Sequence, residues 1–225
     1  MEFAAFPPCF FSGKEDLWNA LWVHNRNRKL RSTFSPSLRQ TDAEKPSMGK
    51  HRKKSYTCKI FTVWEEEIEL ATGKKTRQSW IDHKPTVAVV AVNAHDDLLL
   101  IRQFRVPTGQ NLLEIPAGSF DDDGESPADC AQRELAEETG YRAGKLTKLF
   151  AGYLLPGYCN EFMHFFLAQD LFYAPLTPDE DECIDVIPVS FAQASELFKS
   201  GELNDAKTVL GIMLARNHLN NTSDF

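Results

Sequence analysis

The stretch that decides the fold reads GSFDDDGESPADCAQRELAEETGY and runs from Gly118 to Tyr141. Ser126, Pro127 and Asp129 form a helix start: the serine can cap, proline suits the first helical position, and the aspartate lies near free N–H groups. Ala128, Ala131 and Leu135 recur at helical spacing and predict one stripe against a core. Gly140 supplies a left-handed stop. The opposite side carries Glu134, Glu137 and Glu138, and spacings of three and four set these on neighbouring turns of one face.

For stability alone this placement is poor. Like charges four apart cost roughly 0.2–0.5 kcal/mol, and acids in a last turn oppose the helix macrodipole by roughly 0.3–1 kcal/mol each. A divalent cation removes the conflict, because hard Mg²⁺ seeks carboxylate oxygens and keeps waters for a phosphate-bearing substrate. The competing reading of a bare acidic pair is a solvated helix face.

The whole string resembles the Nudix box, G-x5-E-x7-R-E-U-x-E-E-x-G-U with U apolar. Glu125, Arg133, Glu134, Leu135, Glu137, Glu138, Gly140 and Tyr141 match it at the family's spacing. Gly118 departs from the pattern by lying one residue early, so the turn through Asp121–Asp123 is extended by one.

The 225 residues suffice for one good-sized domain or two small ones, and 42% apolar with 25% charged residues is ordinary globular composition. No apolar run reaches the length of a membrane span, and the apolar patch at Phe3–Phe11 lacks the basic region of a signal peptide. Five scattered cysteines without metal-type spacing predict reduced thiols and a cytoplasmic location. Residues 1–54 hold 11 Lys+Arg against 5 Asp+Glu, whereas the whole chain carries −7, so the remaining body is strongly acidic. An acidic body argues against nucleic acid as a partner of the domain itself.

Residues 1–54 are expected to be a basic, disordered extension, and 55–220 the folded domain. Strands are predicted over 57–64 and 66–70, then, after a Thr72-Gly73-Lys74 turn, through Ile81. Further strands are predicted at Thr86–Val92, Leu98–Phe104, Leu112–Ile115, Leu146–Leu155, Phe162–Ala168 and Asp185–Val189. Helices are predicted at Phe191–Ser200 and Asp205–Asn217. Strands on both sides of a central helix, with helices at the end, give an α/β sandwich with a mixed sheet. The Nudix resemblance implies the same α/β/α fold, with the box helix over the active site.

The resemblance extends beyond the box. LLLIRQFRVPTGQNLLEIPAG before it, Pro156 fifteen residues after Tyr141, and DEDECIDV…GELNDAKT near the end are similar to the ADP-ribose pyrophosphatase branch of the family. That similarity implies Glu134 and Glu138 as metal ligands, Glu137 as a ligand or a neighbour of one, and the Ala117 carbonyl as a further ligand. It implies a structural pair between Glu125 and Arg133. Arg105 is expected on a substrate phosphate, where its fork grips oxygens in two places. Glu161 is expected to help hold the substrate. Trp80 is a candidate for stacking on the base, although packing in a core or dimer is the stronger expectation for it. The general base is expected in TPDEDE, at Glu182 ahead of Glu180, because Glu182 sits at the junction of loop and strand. His83 and His164 are expected to serve only in strands.

The function implied is Mg²⁺-dependent hydrolysis, with Mn²⁺ as an alternative ion, of the pyrophosphate in ADP-ribose or a related nucleoside diphosphate sugar. GDP-mannose and ADP-glucose are rival substrates. Two rivals stand outside that class: a non-catalytic ADP-ribose sensor, and an RNA-end hydrolase using the basic tail. The resemblance also implies a homodimer that exchanges N-terminal strands.

Overall fold

The computed structural model describes residues 52–70, 72–121, 124–177 and 184–220. The expected disordered extension falls almost wholly outside this range, as do Glu180 and Glu182.

Every residue of the strand Thr86–Ala91 (β4) is buried, so both its faces must be covered. The period of two then sorts its side chains between two cores. Val87, Val89 and Ala91 pack with Cys130, Ala131 and Leu135 of the helix Pro127–Thr139 (α1). Ala88 and Val90 pack with Ile212 and Ala215 of the helix Ala206–Leu219 (α3) and Ala194 of the helix Phe191–Ser200 (α2). The expected sandwich is therefore present, with α1 on one face and the two C-terminal helices on the other.

Around β4 the sheet is mixed. The strand Phe162–Tyr173 (β9) runs parallel to it, Ala117–Ser119 (β7) pairs antiparallel on its other side, and Tyr141–Tyr153 (β8) closes the order β7-β4-β9-β8. A second sheet has the order β10-β5-β6, formed by Ile184–Ser190 (β10), Asp97–Arg105 (β5) and Gln110–Glu114 (β6). The third is an antiparallel ribbon of Arg52–Thr57 (β1), Phe61–Glu69 (β2) and Lys75–His83 (β3). Here the strand boundaries differ from the expected ones. What reads as two strands over 57–70 is one strand, β2, preceded by another from Arg52.

Helix α1 begins and ends where its sequence directs. The Ser126 hydroxyl accepts from the Asp129 N–H, Pro127 opens the first turn, and Gly140 adopts φ 80° at the C-terminus. That left-handed conformation favours glycine, whose N–H returns to the Ala136 carbonyl. Among the described residues Cys58, Cys130 and Cys159 are free thiols, and no helix is long and apolar enough to cross a membrane.

His164 of β9 carries a consequence for pH. Its ring lies against Phe120 and Phe162, and its buried Nδ1 has no hydrogen-bond partner among the described residues. Burial, helped by the Lys148 charge, pushes its pKa down. The unfolded chain, with an imidazole pKa near 6.5, takes up the proton first as pH falls. The penalty is thus absent above roughly pH 6.5 and grows below it. The melting temperature of the wild type should fall between pH 7.5 and 5.5, and His164→Leu should lessen that fall. An unchanged slope in the variant would place the acid sensitivity elsewhere.

Candidate active site

The acidic face of α1 does not look out to solvent. Glu138 is only 5% exposed and Glu134 only 9%, and both lie towards the short strand β7. Buried carboxylates persist only with partners. The Ala117 N–H donates to Glu138 Oε2 at 2.9 Å. Gly118 lies so close to Glu134 that a Cβ placed on it would overlap the carboxyl group. The first glycine of the string thus makes room for the first carboxylate. No other residue type fits there without displacing Glu134.

Arg133 gathers the rest. Its Nε and Nη2 donate to Glu125 at 2.9 and 3.0 Å, its Nη1 donates to Glu134 at 2.8 Å and Glu137 at 2.9 Å, and its Nη2 also reaches the Ser119 carbonyl at 2.9 Å. Asp121 adds an ion pair at 3.2 Å. The hydrogen bond with Glu125 is the main cause that raises the arginine's already high pKa. The same bond holds the Glu125 carboxyl below its ordinary range. The sequence-predicted pair of Glu125 and Arg133 is present, and the arginine also orders Glu134 and Glu137.

An all-oxygen set of carboxylates suits a hard divalent cation. A carboxylate oxygen has enough lone pairs to accept an N–H bond and to ligate as well. Glu134, Glu137 and Glu138 therefore fit an ion by chemistry. Among the described residues no group of three His, Cys, Asp or Glu is already drawn into ligating geometry.

The other expected residues fall in two places. Arg105 ends β5 and donates from Nε and Nη2 to Glu114, both at 2.7 Å. It lies within electrostatic reach of Glu138, which helps to raise its pKa after the dominant Glu114 bond. Trp80 faces Trp64 across β2 and β3, and the Arg52 guanidinium lies over both rings, 4.5 and 3.8 Å from their centroids. Trp80 is thus half-buried under a cation on the ribbon and belongs to neither of the two cores. Glu161 accepts from the Thr86 hydroxyl at 2.9 Å, at the edge where β4 and β9 start. Its segment is tied to β3, since the Asn160 N–H donates to the Ile81 carbonyl and its side chain bonds Asp82 at 2.7 Å.

One buried group escaped the sequence reading. Glu114 is 1% exposed and bonds Lys207 as well as Arg105. Its signal was an acid inside the apolar run LLEI, a placement that burial tolerates only with cationic partners.

The fold and the acid-lined helix define the class. The chain belongs to the Nudix family, and its residues 82–210 match the NUDIX domain. It is 40% identical over 159 residues to an ADP-ribose pyrophosphatase of Bacillus subtilis (strain 168), a match spanning 70% of this chain and 85% of that protein. It is also 40% identical over 130 residues to a GDP-mannose pyrophosphatase of Yersinia enterocolitica, spanning 54% of this chain and 67% of that protein. A crystal structure of an ADP compounds hydrolase superposes with a TM-score of 0.68 at 30% identity, covering 80% of this chain and 97% of that one.

Proposed function

We propose that the chain hydrolyses the pyrophosphate bond of a nucleoside diphosphate sugar, with ADP-ribose the first candidate and AMP and ribose 5-phosphate the products. The observation that carries this reading is the carboxylate face of α1, drawn under β7 and braced by Arg133. A sensor that only bound the nucleotide would have no use for so costly an arrangement. The relatives named for ADP-ribose and GDP-mannose support the substrate class and leave two sugars in contention.

In this reading Glu134, Glu137, Glu138 and the Ala117 carbonyl hold Mg²⁺, or Mn²⁺ in its place. The ion, when bound, neutralises the diphosphate and orients the attacking water. Arg105 binds a phosphate oxygen, Glu161 holds the substrate, and Glu182 takes the proton from the water, with Glu180 the second candidate. Arg133 keeps Glu134 and Glu137 aligned. A second copy of the chain docks on the β1–β3 ribbon, whose Tyr56 is left exposed. The free thiols suit a reducing cytoplasm.

A panel of ADP-ribose, ADP-glucose and GDP-mannose, assayed with Mg²⁺ and with both products resolved, tests the proposal. The expected result is hydrolysis of ADP-ribose at the highest kcat/KM, with little turnover once the metal is chelated. Tight binding of ADP-ribose without turnover would favour the sensor instead.

A further inference from the structure

The group that the acidic face of α1 does not explain is Glu114. It ends β6, two residues before Pro116, and is the most deeply buried acid among the described residues. Burial alone would push its carboxyl up, yet the bonds from Arg105 and Lys207 outweigh it and hold the group ionised below its ordinary range. Lys207 lies in the first turn of α3, where a cation opposes the macrodipole. There it bonds Glu114 and, at 2.9 Å, Asp205, the residue that caps the same helix. Asp205 also accepts from the Thr208 N–H and hydroxyl, and the Thr208 hydroxyl in turn accepts from the Ile115 N–H at 2.9 Å. Strand β6 and helix α3 are thus clasped on both sides of one carboxylate.

A simple strut would bury both ions, and this arrangement does not. The side chain of Glu114 is 2% exposed, whereas that of Arg105 is 37% exposed. The carboxylate is therefore buried beside an arginine whose side chain still meets solvent. Glu114 engages the Nε and Nη2 edge of the arginine. A guanidinium has five N–H groups in a rigid plane, so this grip turns the remaining three, on Nη1 and Nη2, away from Glu114 as an end-on fork. That fork belongs to a residue within electrostatic reach of Glu138, on the acidic face.

We propose that Glu114 is a positioning residue: anchored through Lys207 to α3, it fixes the plane of Arg105 so that the open edge of the guanidinium receives a diphosphate oxygen. This rests on the reading of Arg105 as a phosphate-binding group. It adds that the grip depends on a buried acid and on a lysine 93 residues further along the chain.

The test is a double-mutant cycle on the full chain, read by calorimetric titration with methylenediphosphonate in the presence of Mg²⁺ and by kcat and KM for ADP-ribose. Glu114→Gln keeps the shape but cannot hold both cations. It and Arg105→Ala should each weaken diphosphonate binding by about tenfold or more, and for Glu114→Gln the loss should appear chiefly in KM. The double variant should bind no more weakly than Arg105→Ala alone, because Glu114 acts through that arginine. Should Glu114→Gln fail to fold, Glu114→Asp retains the charge for Lys207 and withdraws it by one methylene from Arg105. It should lose affinity while its melting temperature stays close to that of the wild type. Wild-type affinity in a folded Glu114 variant, or losses that simply multiply in the double variant, would overturn the proposal. So would a wild-type chain that does not bind the diphosphonate. Diphosphonate binding that follows the cycle without hydrolysis of any nucleotide sugar would leave Glu114 in place and remove the proposed function.

Discussion

Glu138→Gln is expected to lower the rate of hydrolysis by at least about a hundredfold, roughly 2.7 kcal/mol on the barrier, while the fold persists. The substitution is close to isosteric, and the glutamine amide oxygen can still accept the Ala117 N–H that Glu138 Oε2 now accepts. What it removes is one negative charge from the face that would hold the cation. A carboxylate in the last turn of α1 also opposes the helix dipole, so the metal-free variant should melt no lower than the wild type. Rate and stability therefore separate: the first collapses and the second does not. Near-wild-type turnover would mean that the metal is held elsewhere. A folded state lost together with activity would instead make Glu138 a structural acid, matched to the β7 backbone alone.

Glu182→Gln is expected to lower the maximal rate by about a hundred- to ten-thousandfold, the usual worth of general base catalysis. Affinity for Mg²⁺ and substrate should change little, because the proposed ligands lie on α1 and β7. Glu180→Gln should cost far less. The first described residue of β10, Ile184, pairs with Gln103, two residues from Arg105. The rate-versus-pH curve should lose its acidic limb in Glu182→Gln, since the group that must ionise is gone. If Glu180→Gln were the crippled variant instead, the base would lie two residues earlier. If both were mild, Glu137 and Glu161 would be the next candidates.

The sequence was most legible where local chemistry and tertiary packing demand the same thing. Helix α1 has its cap, its proline and its left-handed stop within the string itself, and β4 announces its burial through an unbroken apolar run. The ribbon is less legible for a physical reason. β1 is RKKSYT, exposed at every residue and without an apolar alternation, so only main-chain pairing to β2 reveals it. In β2 the run of three glutamates interrupts the pattern and suggests a break. The strand continues because β3 supplies facing partners: Arg77 opposite Glu67 and Lys75 opposite Glu69. Cross-strand charge pairs of this kind do not show in either strand by itself. In the site, the carboxylates could be named from their spacing, but not their burial. Glu114 shows the same limit, since its two cations come from β5 and from α3.

Arg133 holds the connection between β7 and α1 at three points, the Ser119 carbonyl and the carboxylates of Asp121 and Glu125. Between those clasps the number of residues is not dictated by the chemistry, and here Gly118 and Glu125 are separated by six residues rather than five. The arginine works like a buckle, joining the two ends whatever the count of residues between them. A search that demands rigid spacing from the first glycine would pass over this protein, whereas one anchored on Glu125 and counted forward would find it. For engineering, this connection is the place to test an added residue beside α1.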